Sequence, residues 1–139
     1  MIDKELVTRK LLLITEDLKA LGPLAGKALA DYLASSIDEV LAERYLERII
    51  GRMIDINYHV LTESGQAPPK DYHQSFTALA DIGVLDRDFA KRIAACAGLR
   101  NRITHEYETI DPARVHEALQ AAVQDIPIYL RQVAQHSGL

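Results

Sequence analysis

No stretch of this sequence alternates apolar and polar residues over the length of a strand, whereas apolar residues recur at helical spacing between a series of breaks. That property points to an all-α chain, a helical bundle with one long central helix and a long C-terminal helix. Asp3 is placed to cap a first helix with Leu6, Leu13 and Leu18 among its apolar positions, and Gly22-Pro23 reads as its stop. A second run carries Leu24, Ala28, Leu29, Tyr32 and Leu33 on one side, and Ser35 and Ser36 mark a weak point after it. The long helix is expected from Ile37 to Glu63, with Gly65 as its C-terminal stop and Pro68-Pro69 preventing resumption. Its apolar residues, from Leu46 through Ile49, Ile50, Met53, Ile54 and Ile56 to Val60 and Leu61, cover more than a narrow stripe. A helix apolar over so wide an arc is central, or is shared with a second subunit.

Tyr72, Phe76, Leu79 and Ala80 suggest a short fourth helix ending at Gly83. Asp86 is expected to cap a fifth, with Phe89, Ile93 and Ala97 inward and Gly98 at its end. Asp111-Pro112 opens the last helix, predicted over Pro112–Gln135, an acidic cap followed by proline at the first helical position. Val115, Leu119, Ala122, Ile126, Tyr129 and Val133 form its inward side, and Pro127 is expected to kink it. With no repeat or linker, residues 1–139 read as one domain.

The 139 residues are nearly half hydrophobic and can bury a core without disulfides. The single cysteine, Cys96, allows no intrachain disulfide and, among small residues, reads as a buried inert thiol. The opening Met1-Ile2-Asp3-Lys4-Glu5 lacks a basic segment leading into a long apolar run, and Leu11 to Ile14 is too short to span a bilayer. The expectation is a cytoplasmic protein with no membrane association. A formal net charge of −4 argues against a general nucleic-acid binder but leaves room for a local basic cleft.

Several chemistries lack their residues. There is no Gly-rich phosphate loop and no Gly-x-Ser-x-Gly elbow, and no cofactor is expected. His116-Glu117-Ala118-Leu119-Gln120 imitates the metalloprotease helix, but Gln120 stands where the second histidine belongs, so no metal site is expected. Asp55 and His59, four apart, can pair, and an ordinary structural hydrogen bond is preferred over a catalytic dyad. Arg44, Arg48 and Arg52 read as a solvated stripe paired with Glu43 and Glu47.

What remains is the segment Arg100-Asn101-Arg102-Ile103-Thr104-His105-Glu106-Tyr107. RNA can be cut without metal when its 2′-hydroxyl attacks the adjacent phosphorus. That requires a group that moves protons near neutral pH, and histidine titrates near about 6.5. It also requires a fixed cation beside the non-bridging oxygens, which arginine's planar fork supplies. On an unbroken helix Arg100 and His105 lie about 140° apart, so one chain does not aim both at one point, whereas a two-fold dimer would bring two of each to one cleft. Asn101 and His105 share a face, so the amide can orient the imidazole, and Arg102 is a candidate for contacting RNA. The same residues also suit a plain role, a histidine and tyrosine pinning a helix junction beside surface arginines.

The run Pro68-Pro69-Lys70 … Ser75-Phe76 … Leu79 … Gly83-Val84-Leu85 … Phe89-Ala90 … Ala97-Gly98-Leu99-Arg100-Asn101-Arg102 … His105-Glu106-Tyr107 … Ile110-Asp111 resembles the HepT branch of the HEPN superfamily, which is marked by arginine, four residues, histidine, one residue and tyrosine. The resemblance implies an HEPN-like helical homodimer with a composite cleft, a toxin with metal-independent RNase activity from Arg100 and His105, and Asn101 as an ordering residue. It also implies a partner, a minimal nucleotidyltransferase antitoxin of the MntA kind, which transfers AMP from ATP onto the motif tyrosine, here Tyr107, and so neutralises the toxin. A different class stays open beside it: a non-catalytic HEPN subunit that assists a partner nucleotidyltransferase.

Overall fold

The structure, a computed structural model, describes residues 1–139 and contains seven helices and no strand. They are α1 (Lys4–Ala25), α2 (Leu29–Leu33), α3 (Ser36–Glu63), α4 (Tyr72–Asp81), α5 (Arg87–Ile93), α6 (Ala95–His105) and α7 (Pro112–His136). α3 is the centre: α1, α4, α6 and α7 all pack against it, and α1 also lies along α7. Thirty-two buried hydrophobic residues form a single cluster, to which α3 contributes Ala42, Leu46, Ile49, Ile50, Met53, Ile54, Ile56, Val60 and Leu61. The wide apolar arc of that helix is thus largely covered within one chain. Its N-terminal turns differ, since Ile37, Val40 and Leu41 remain exposed. No helix is long and apolar enough to cross a membrane.

The caps follow local chemistry. Asp3 accepts from Leu6 N at 3.0 Å, Ser35 Oγ accepts from Asp38 N at 3.2 Å, and Asp111 accepts from Ala113 N at 3.0 Å. Gly65 and Gly83 follow the ends of α3 and α4 with φ of 75° and 80°, the left-handed geometry that glycine takes without strain. α7 buries every inward residue expected of it and runs through Pro127 as one helix, with that proline on the exposed side.

Several local expectations are corrected. Gly22-Pro23 does not stop α1, which continues to Ala25. Pro23 costs one backbone bond, to the carbonyl of the exposed Lys19, and the helix closes three residues later, with Gly26 N–H donating to Gly22 O at 3.0 Å. The core face of α1 is carried by Val7, Ile14, Leu21 and Leu24, while Leu6, Leu13 and Leu18 are half-buried. Gly98 does not end the fifth helix either. It lies inside α6 without the positive φ of a stop, and the break falls at Ala94, which separates α5 from α6.

The arginine stripe of α3 is another. Only Arg44 pairs with Glu47, at 2.6 Å, whereas Arg48 and Arg52 reach across to Asp17 of α1 at 3.1 and 2.7 Å. Asp17 is buried, and a buried carboxylate without compensation is costly. Two arginines meet that need and fix α1 on α3. Asp55 and His59 do not pair with each other. Asp55 binds Lys10 at 3.0 Å, and His59 Nε2 accepts from Asp3 N at 2.9 Å, so both fasten α1. The imitation of a metal helix is likewise structural: His116 bonds the Lys27 carbonyl at 2.8 Å and Gln120 donates to the Ala25 carbonyl at 2.5 Å, holding α7 against the end of α1.

Candidate functional site

α6 carries the motif on its second half. Ala97, Leu99 and Ile103 face the core, and this fixes the direction of everything else on the helix. Thr104 adds a polar fastening, its hydroxyl donating to Glu47 of α3 at 3.1 Å, the same carboxylate that holds Arg44. The helix ends at His105, and Glu106 N–H closes it on the Arg102 carbonyl at 2.8 Å. A tight turn follows, in which Thr109 N and Ile110 N both donate to the Glu106 carbonyl at 3.0 Å. Tyr107 sits on that turn, 65% exposed. Its phenol projects into solvent instead of packing on the last helix.

Arg100 is half-buried, with its stem toward α3 and α4. It passes over Gly51 of α3, where an added Cβ would lie 3.6 Å from Arg100 Nε, an ordinary van der Waals contact. The guanidinium carbon lies 5.6 Å from the centre of the Tyr72 ring, and Tyr72 in turn meets Tyr58 edge-on at 6.1 Å. Burial lifts the Tyr58 phenol above its ordinary range, with Tyr72 and Asp71 beside it adding to the shift. Arg100 forms no ion pair, and its Nε is buried without an acceptor. An orphaned buried donor of this kind costs roughly 1–3 kcal/mol. The fold therefore holds a cation here without neutralising it.

Asn101, Arg102 and His105 are exposed. His105 is on the same unbroken helix as Arg100, so the two point about 140° apart and do not converge within one chain. Asn101 and His105 share the exposed face as expected, with no hydrogen bond between them. Arg102 lies on the rim of a groove of about 570 Å³ between α3, α6 and α7, together with Glu106 and Arg114, over an apolar floor that includes Leu99 and Ile126. No group of three or more His, Cys, Asp or Glu side chains is placed to hold a metal ion. Cys96 lines the same groove, and burial, with the Asp125 carboxylate adding to it, pushes its thiol up to about 12, which suits the inert role expected. Tyr72, Gly51 and the Thr104–Glu47 bond were not legible in the sequence, because each meets α6 across a long loop or a different helix.

Three comparisons bear on this arrangement. The model of the ribonuclease HepT-like family matches residues 4–133. A protein of Aphanizomenon flos-aquae named tRNA nuclease HepT is 36% identical over 132 residues, covering 95% of this chain and 90% of that one. Among solved structures, a tri-AMPylated HEPN toxin of Shewanella oneidensis in complex with its MNT antitoxin superposes with a TM-score of 0.85 at 20% identity, over 97% of this chain and 99% of that one. A mutant MntA–HpeT toxin–antitoxin gives a TM-score of 0.84 at 18% identity, over 94% and 98%. At such identities the structural likeness establishes the HEPN-like fold. The family match and the 36% identical relative, each spanning nearly the whole chain, establish more: this chain belongs to the ribonuclease HepT-like family.

Proposed function

We propose that residues 1–139 act as one HepT-like domain, the toxin of a toxin–antitoxin pair, and that it is an endoribonuclease needing no metal, with transfer RNA as the substrate class. The observation that carries this reading is the unpaired, half-buried Arg100 guanidinium on the same helix as the exposed His105. The relative named tRNA nuclease supports the substrate. Since Arg100 and His105 diverge on α6, the working site is a cleft between two copies related by a two-fold axis.

In that cleft one His105 takes the proton of the ribose 2′-hydroxyl. The oxygen attacks the adjacent phosphorus, the 2′-O–P bond forms and the bond to the 5′-oxygen breaks. His105 of the partner subunit gives a proton to that leaving oxygen, so the products are a 2′,3′-cyclic phosphate and a 5′-hydroxyl. Arg100 stabilises the charge that builds on the non-bridging oxygens. Asn101 orders His105 once the cleft is assembled, and Arg102 holds the strand. A MntA-like nucleotidyltransferase neutralises the enzyme by moving AMP from ATP onto the exposed Tyr107. The neighbouring toxin–antitoxin structures support such a partner.

The test is cleavage of purified transfer RNA by the chain freed of any antitoxin, with light scattering on the same sample. Cleavage that persists in EDTA, a dimeric mass, and loss of activity in both Arg100→Ala and His105→Ala are expected. Full cleavage by a clean His105→Ala preparation, or loss of wild-type cleavage in EDTA, defeats the mechanism.

A further inference from the structure

Arg100 differs from the other fixed arginines of the chain. Arg44, Arg48, Arg52, Arg87 and Arg92 each lie within 3.1 Å of a carboxylate oxygen, so their charge is answered locally. Arg100 has no such partner, and its Nε is enclosed with nothing to accept its proton. A long side chain with no acceptor would ordinarily sample several rotamers. What confines this one is the aromatic face of Tyr72, 5.6 Å from the guanidinium carbon. That ring is itself fixed from two directions. Tyr58 meets it edge-on, at an interplanar angle of 83°. Its backbone is tied down by a buried relay, in which Tyr129 Oη donates to Asn57 Oδ1 at 2.6 Å, Asn57 Nδ2 to Ser75 Oγ at 3.1 Å, and Ser75 Oγ to the Tyr72 carbonyl at 2.6 Å.

We infer that Tyr72 is a positioning residue for Arg100: its ring face holds the guanidinium in a single direction while leaving the positive charge free for a substrate phosphate. A carboxylate at this place would hold the arginine more tightly, but it would neutralise the cation and compete with the phosphate. A ring attracts the cation through its quadrupole and leaves the planar fork of N–H donors available. This rests on the reading of Arg100 as the group that stabilises transition-state charge.

The experiment therefore reads position and rate separately, in the full-length protein, for the wild type, Tyr72→Phe, Tyr72→Leu, Arg100→Ala and the Arg100→Ala/Tyr72→Leu double variant. Position is read from the Arg100 Nε–H resonance in a ¹H–¹⁵N spectrum, assigned by its loss in Arg100→Ala. An enclosed Nε–H beside an aromatic ring gives a shifted, slowly exchanging signal. Tyr72→Phe keeps the ring face and should keep this signal, whereas Tyr72→Leu should move it to the position of free arginine side chains. Rate is read from steady-state RNA cleavage. Tyr72→Leu should lower kcat roughly 3- to 30-fold with KM little changed, Tyr72→Phe should rescue it, and Tyr72→Leu should cost nothing further once Arg100 is alanine. An unmoved Nε–H in Tyr72→Leu overturns the inference whatever the rate does. So does an equal loss of rate on both Arg100 backgrounds, or a displaced Nε–H with an unchanged rate. Full cleavage by Arg100→Ala is a separate failure: it removes the catalytic role of the arginine while the Nε–H signal still reports whether Tyr72 fixes its direction.

Discussion

Two regions of this molecule spend polar groups in opposite ways. In the core between α3, α4 and α7, Tyr129, Asn57 and Ser75 are each fully buried, and each finds a partner in the others or in the backbone. At the end of α6, Arg100 has a buried donor with no acceptor, and Asn101, Arg102, His105 and Tyr107 face water. A satisfied buried network rigidifies and specifies a packing. A set of unsatisfied groups at a helix end adds nothing to the stability of the free chain and leaves its donors open to a ligand. The first region holds its polar groups for stability, the second leaves them free for the proposed chemistry, and the two are joined through the Ser75–Tyr72 hydrogen bond.

The largest effect should come from setting one substitution in each region against the other. His105→Ala should lower RNA cleavage about 10²–10⁴-fold and leave stability within about 0.5 kcal/mol of the wild type, as exposed substitutions do. Asn57→Ala should do the reverse. It strips a partner from both the Tyr129 hydroxyl and Ser75, at a cost of about 2 kcal/mol, while the folded fraction, with Ser75 still bonded to the Tyr72 carbonyl, loses far less cleavage than His105→Ala. Denaturant unfolding and cleavage assays on the same preparations decide this. If His105→Ala proves as destabilising as Asn57→Ala, the end of α6 is a structural junction and the contrast collapses.

The second test concerns Tyr107, at the tip of the turn after α6. Co-expressed with a MntA-like nucleotidyltransferase, the wild type should gain one or more AMP units on Tyr107 by intact-mass spectrometry and lose cleavage. The added phosphodiester charge and base, carried on the turn that follows His105, would repel incoming RNA. Tyr107→Phe should cleave within about two-fold of the wild type, since the phenol takes no part in the proton transfers. It should also escape the partner. An unmodified but neutralised wild-type protein would show that the antitoxin acts by binding alone.

The sequence disclosed the two regions unevenly. Helix identity and the inward faces of α3 and α7 were legible, because period and burial coincide there. The caps at Asp3 and Asp111 were legible because cap chemistry is local. The stops at Gly22-Pro23 and Gly98 were misread, because a glycine permits a left-handed stop without imposing one, and neither glycine adopts a positive φ. The motif residues could be named, but their partners could not. Tyr72 precedes Arg100 by two and a half helices, and Asp17 of α1 meets Arg48 and Arg52 of α3, contacts that no local pattern announces.

A subtler pair of substitutions asks whether every orphaned polar group is functional. Tyr129 and Tyr32 are both fully buried, yet the Tyr129 hydroxyl is bonded and the Tyr32 hydroxyl is not. Tyr129→Phe should cost roughly 1–2 kcal/mol. Tyr32→Phe removes a group that already lacks a partner and keeps the ring against His116, 5.0 Å away, so it should be neutral or slightly stabilising. Tyr32→Phe should not alter cleavage. If Tyr32→Phe did impair cleavage, an unsatisfied group remote from the motif would also count as functional, and the lesson drawn from Arg100 would weaken.

The smallest expected effect lies beside Tyr32, on α3. Burial raises the Glu43 carboxyl above its ordinary range, and Glu39, four residues earlier on the same helix, adds like-charge repulsion. Glu43 has no ion pair to offset either cause; it is Glu47 that takes Arg44. A carboxyl whose folded pKa is raised binds its proton more tightly in the folded state. Its contribution to stability is therefore fully present below the ordinary glutamate value, near about 4.3, and is lost as pH rises through the higher folded value. Glu43→Gln removes that titration. The variant should gain on the wild type as pH climbs through this window, reaching an advantage of about 0.5 kcal/mol or less at neutral pH, the scale of a like-charge pair four residues apart on a partly solvated helix. Urea unfolding at a series of pH values measures it. A wild type that keeps pace with Glu43→Gln at neutral pH would mean that solvent already screens the pair, and that the α2–α3 end of the bundle carries no electrostatic strain to set beside that of α6.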